Sequence, residues 1–174
     1  MSRSLGNTIA DSLELSLGYA DRLLAGIEPT QFARFASPGG ETIESNHPAF
    51  ILGHLSLYAP RVIDELGRND LKVAIPANFE KVFSKDAKCA DDPAGKIYPA
   101  MEEVVTFFKD GYGKTVAALR EVDDATLQVP NPNEGMAGKF PTLGSGHGFY
   151  VGGHMMMHLG QLSAWRRMAG LGSA

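Results

Sequence analysis

The sequence predicts an all-α fold: a four-helix bundle in one domain, with long connections between the helices. Three observations predict it. Four segments carry apolar residues at helical spacing over several turns. No segment alternates convincingly at the strand period; Leu71–Ile75 is the only candidate, and it is short. The 174 residues, 44% hydrophobic and 21% charged, have the balance of a soluble domain that buries a core without covalent staples.

In the first helix Ile9, Leu13, Leu17, Ala20, Leu24 and Ile27 form one apolar stripe, and Pro29 is expected to close it. The second covers residues 46–66, with Ile51, Leu55, Tyr58, Val62 and Leu66 as its stripe. Pro48 suits its first turn and Gly67 the position just past its end. Pro60 removes a backbone bond and crowds the preceding turn, so this helix is expected to kink there, or to end near Ala59 and restart. The third opens at Pro99, with Glu102 and Glu103 at the positive end of its dipole. Val105, Phe108, Tyr112, Val116 and Leu119 form its stripe, which fades at Asp123 and Asp124. The fourth runs from about Thr142 to Ala169, with Val151, His154, His158, Leu162, Trp165 and Ala169 on one face. Its first half holds Gly144, Gly146, Gly148, Gly152 and Gly153, and a glycine inside a helix costs about 1 kcal/mol relative to alanine. Either the helix starts later than Thr142, or close packing demands small residues there. The connections are residues 29–44, 68–97 and 123–141, and Asn78–Phe83 is a candidate short helix in the longest of them.

Charge and composition remove several function classes. Lys and Arg number 16 against 20 Asp and Glu, a net charge of −4. With an isoelectric point of about 5.7 and no basic run beyond Arg166–Arg167, nucleic acid is not an expected partner. No apolar run reaches the ~20 residues of a membrane span. Residues 1–7 hold no apolar signal core, so a cytoplasmic protein is expected. The single cysteine, Cys89, permits neither an internal disulfide nor a cysteine-based zinc module, and its polar neighbours make it an incidental exposed thiol.

Five histidines stand at positions 47, 54, 147, 154 and 158. His154 and His158, four apart on a helix, stack on one face, from which two imidazoles reach one metal ion at about 2.0–2.1 Å. Both lie in the apolar stripe of the fourth helix, and His54 lies in that of the second. Buried imidazoles need partners for their nitrogens. A metal ion on three protein ligands, with positions left open, meets that need and is the pattern of a catalytic site. Core histidines bonded to each other, to tyrosine or to buried water meet it too. His47 and His147 each precede one of these three by seven residues, roughly two turns along the same face. They read as pocket-lining or helix-start polar residues, with a fourth ligand or an acid–base group as the alternative. Gln161 is placed either to hold an imidazole from behind or to pack between helices. Tyr58, one turn after His54, either lines the site or is a core residue with its hydroxyl at the edge. Met155, Met156 and Met157 read as core packing.

Other motifs are missing. His154 is not followed by the glutamate of a His-Glu-x-x-His protease, and Glu44-Ser-Asn-His47 is a lone match to the paired motif of a di-iron bundle. There is no Cys-x-x-Cys-His haem attachment site and no glycine-rich phosphate loop of known pattern.

His154-x-x-x-His158-Leu-Gly-Gln161-Leu, followed by Arg166-Arg167 and Gly170, resembles the fourth-helix signature of the DinB-like (damage-inducible, bacillithiol transferase-like) metalloprotein superfamily. Asn46-His-Pro-Ala-Phe50-Ile-Leu-Gly-His54-Leu resembles its second-helix motif, and Phe79-x-x-x-Phe83 with Tyr98-Pro99 resembles its middle section. The resemblance spans most of the chain. It implies a four-helix bundle with His54, His154 and His158 holding a divalent metal ion near one end. Zinc or nickel is the first choice of metal, and manganese or iron the second. It also implies a homodimer acting on a small molecule, with a low-molecular-weight thiol such as bacillithiol, mycothiol or glutathione as co-substrate. The chain departs from the pattern at Phe50, where the usual aromatic is often Trp, and in the glycine-rich run that adds His147.

A divalent ion held there would bind a thiol as thiolate, a nucleophile toward an epoxide, alkyl halide or activated alkene. The alternatives are a metal-dependent hydrolase on the same site, or a bundle whose metal serves only stability or sensing. With one cysteine in the chain, a reacting thiol is expected to come from a small-molecule partner.

Overall fold

The structure is a computed structural model that describes residues 3–174. Met1 and Ser2, at the head of the stretch read for a signal segment, lie outside the described residues. The fold is all-α. The described residues form no strand, only isolated bridges between Ala36 and Ile43 and between Pro130 and Thr142. Leu71, where a strand was a candidate, instead closes a 3-10 turn over Asn69–Leu71.

Helix α1 spans Leu5–Leu24 and opens at Ser4, whose hydroxyl accepts from the Asn7 amide at 3.2 Å. It ends five residues before Pro29. Gly26, at φ 77°, makes the left-handed turn that stops the helix, and Ile27 is buried beyond it. The buried stripe runs through Ala10, Leu13, Ala20 and Leu23, so Ile9 and Leu17 lie at its margin.

The second helical segment divides into α2 (Pro48–Ser56) and α3 (Tyr58–Glu65). The break falls at Leu57, one turn ahead of Pro60. Pro60 can give no N–H to the Ser56 carbonyl and its ring crowds that group, so the chain breaks there and Pro60 sits in the first turn of α3. Beside the break, the Leu55 carbonyl accepts from the Tyr112 hydroxyl at 2.7 Å.

Where Asn78–Phe83 was a candidate, a short helix, α4, covers Phe79–Phe83 with Asn78 as its N-cap. Helix α5 covers Met101–Glu121, starting two residues after Pro99, with Val104, Phe108, Tyr112 and Leu119 inward. Two single turns follow, α6 (Asp124–Leu127) and α7 (Glu134–Ala137).

The fourth segment does start at Thr142, which forms a capping box with Ser145. It comprises α8 (Leu143–Gly148), a π-helical turn over Phe149–Gly153, and α9 (His154–Met168). Two of its glycines answer to packing. A Cβ on Gly144 would meet Leu127 at 3.0 Å, and one on Gly146 would meet the Asn131 amide at 2.9 Å. Of the three methionines, Met155 is buried in the core, whereas Met156 and Met157 are 42% and 55% exposed.

Helix α1 packs against α5 and α9, and α2 lies against both α5 and α9. These contacts bring the N-terminal half of α9 beside α2. Arg166 ties the far end together: its guanidinium donates to the carbonyls of Leu23, Ala25 and Leu171, capping the end of α1 from within the core.

Candidate metal centre

His54 comes from the last turn of α2, and His154 and His158 come from the first two turns of α9. Each is less than a tenth exposed. Their ring centroids lie 5.4 Å (His54–His154), 4.9 Å (His54–His158) and 4.7 Å (His154–His158) apart. One nitrogen from each ring lies within 4.8 Å of the others, close enough for all three to share one metal ion.

Groups behind the rings fix two of the tautomers. His54 Nδ1 donates to the Phe83 carbonyl at 2.9 Å, which leaves Nε2 as its lone-pair nitrogen. His158 Nδ1 donates to Gln161 Oε1 at 3.0 Å, and the same oxygen accepts from Asn46 Nδ2 at 3.1 Å, which orients the amide. A backbone carbonyl or amide oxygen behind a metal-binding imidazole is the usual means of aiming it. His154 Nδ1 is buried with no hydrogen-bond partner, so the cluster holds a polar atom that protein groups leave unsatisfied.

Gly53 makes the first of these contacts possible. A Cβ there would meet the Phe83 ring at 2.5 Å, so only glycine lets α4 approach α2 closely enough to place its last carbonyl on His54.

Two of the three rings are disfavoured in their charged form. Burial, reinforced by the charges of His158 and His54, pulls His154 down to about 4. Burial and the neighbouring His54 also lower His158, against the opposing pull of Gln161. Neutral imidazoles with free lone pairs are the form in which histidine binds a metal.

Tyr58 packs edge-on to both His54 and His154, at 5.3 and 4.6 Å between centroids, and so lines the cluster. His47 and His147 are both fully buried, and neither joins the cluster. His47 is the N-cap of α2: Nδ1 accepts from the Phe50 amide at 3.2 Å, and Nε2 donates to the Ala90 carbonyl at 3.0 Å. Outside the helix, it does not share the face of His54. His147 is turned away by the π-helical turn, which adds a residue without adding rotation and so shifts the face by roughly 100°. Its Nε2 lies 3.8 Å from Glu65 on α3, beyond hydrogen-bonding distance, and neither ring nitrogen has a partner.

A pocket of about 400 Å³ opens onto His54 and His158, walled by Phe50, Asn46 and the chain just after α4. Cys89 borders it. The sulfur is half-buried rather than exposed, faces the Ser45 carbonyl at 3.9 Å, and burial pushes its thiol up to about 11. It therefore stays protonated at neutral pH.

The carbonyl of Phe83 and the side chain of Asn46 are site groups that the sequence did not single out for this role. A backbone carbonyl has no residue signature, but Asn46 stands next to His47 at the start of the second-helix motif. No protein-family model matches the chain, and no curated protein matches it.

Proposed function

We propose that the chain is a DinB-like four-helix bundle that holds one divalent metal ion on His54, His154 and His158. The observation that carries this reading is the convergence of three buried imidazoles, one nitrogen of each within 4.8 Å of the others. The orphaned Nδ1 of His154 adds to it, since the set of hydrogen bonds is incomplete at the point where a cation would complete it. Three imidazole nitrogens suit zinc or nickel better than magnesium or calcium.

Within that reading the activity is transfer of a low-molecular-weight thiol to a small electrophile. When bound, the ion supplies Lewis acidity that lowers the pKa of a coordinated thiol or water. The chain's own groups do the remaining work. Phe83 and Gln161 hold two imidazoles in the right tautomer, and Tyr58 and Phe50 pack against His54. The 400 Å³ pocket admits a second molecule beside His54 and His158, which favours an enzyme over a closed structural site. Cys89, held protonated, is a poor nucleophile, so the reacting thiol comes from solution.

The test is metal analysis of the purified protein and of His154→Ala and His158→Ala. The wild type retains close to one ion per chain and each variant loses it. Metal that survives both substitutions, or a wild type that takes up none on reconstitution, overturns the reading. Turnover of an electrophile that requires added thiol supports transfer; turnover without thiol points to hydrolysis.

A further inference from the structure

The pocket over the histidines is lined by two cationic side chains although the chain as a whole is acidic. The chain carries a net charge of −4, yet Lys85 and Lys88 line this pocket together with Ser84 and Asn46, and no carboxylate lines it. Both lysines are exposed. Among the described residues, the lysines found in ion pairs are Lys109 and Lys114, so the two pocket ammonium groups keep their hydrogen-bonding capacity for something else. Their placement is enforced. The segment that carries them is pinned on one side by α4 against Gly53 and on the other by Ala90, whose carbonyl accepts from His47 and whose amide donates to Tyr98. A smaller hollow of about 150 Å³ adjoins the pocket, sharing Asn46, Lys88 and Cys89 with it; Glu44 lines that hollow and not the part that reaches His54 and His158.

We propose that the pocket over His54 and His158 selects small organic anions, with Lys85 and Lys88 engaging a carboxylate or phosphate of the molecule whose other end lies at the histidines. A flexible lysine is suited to this, because an ammonium serves as a point charge for either anion without demanding bidentate geometry. The pair also draws such molecules toward an opening on an otherwise acidic surface. This inference rests on the three-histidine metal reading and adds to it the residues that determine specificity.

Cobalt(II) in place of the native ion gives the readout, since a coordinated thiolate produces a charge-transfer band. The cobalt-loaded protein is titrated with 3-mercaptopropionate and with 2-mercaptoethanol, which share a thiol and differ in the carboxylate. The anionic thiol should bind about tenfold more tightly in low salt, as expected for two partly solvated charge pairs. In Lys85→Gln/Lys88→Gln the two affinities should converge to within about twofold, and 0.5 M salt should narrow the gap in the wild type. Both positions are exposed, so the variant keeps the fold. Equal affinities in the wild type, a preference that survives in the variant, or the absence of a band with either thiol overturns the proposal while leaving the metal site standing. Failure of cobalt to bind at all overturns both.

Discussion

Two imidazoles of the cluster, those of His54 and His158, are aimed by the groups behind them. Gln161 is exposed, so its loss hardly touches the core, but it leaves His158 Nδ1 without an acceptor. Gln161→Leu should weaken metal affinity by about 10–100-fold with little change in melting temperature, as read by competition with a chromophoric chelator. An affinity equal to that of the wild type would mean that Gln161 only packs between helices. At this scale much was legible. Spacing alone put His154 and His158 on one face and Gln161 within reach of them. The partner of His54 was not legible, because it is a carbonyl, and the lysines of the pocket were not, because they stand in a connection with no periodicity to interpret.

Among the helices, two close contacts carry more than their size suggests. In Gly53→Ala the new methyl meets the Phe83 ring and pushes α4 away, removing the carbonyl from His54. The expected cost is about 1–3 kcal/mol of stability, together with faster metal loss to a chelator. A variant with unaltered metal retention would show that α4 does not position His54. Arg166→Met leaves the carbonyls of Leu23, Ala25 and Leu171 without their donor. It should cost about 3 kcal/mol in chemical denaturation, and fraying should be centred on the end of α1 in hydrogen exchange. The positions of the four long helical segments followed from periodicity, but their interruptions did so only partly. Pro60 announced a break, and its clash with Ser56 placed that break a turn earlier, at Leu57. The π-helical turn left only the glycine run as a trace. Because the turn shifts the face, the seven-residue interval from His147 to His154 did not bring those two rings together.

Across the whole molecule, buried histidines set the response to acid. His147 is fully buried with both nitrogens unpartnered, and burial, with the Arg61 charge nearby, pulls it from 6.5 down to about 4. Burial also lowers His47. The unfolded chain takes up these protons first as the pH falls, so stability present above about pH 6.5 is lost between there and pH 4. For His147 alone the loss is about 3 kcal/mol. His147→Leu should move the acid-unfolding midpoint of the metal-free protein to lower pH, followed by circular dichroism; an unmoved midpoint would mean that His147 does not govern acid unfolding. The all-α class was legible from composition and period because one stripe per segment must be buried. The meeting of α2 with α9 was not, since no local pattern states which helices become neighbours.

The claim on which the rest depends is the ligand set, and X-ray absorption at the zinc edge of the reconstituted protein reads it directly. Three imidazole nitrogens at about 2.0–2.1 Å, completed by light oxygen or nitrogen scatterers, are the expected shell. A sulfur scatterer at about 2.3 Å, which would implicate Cys89, or fewer than three imidazoles, would contradict a site built on His54, His154 and His158.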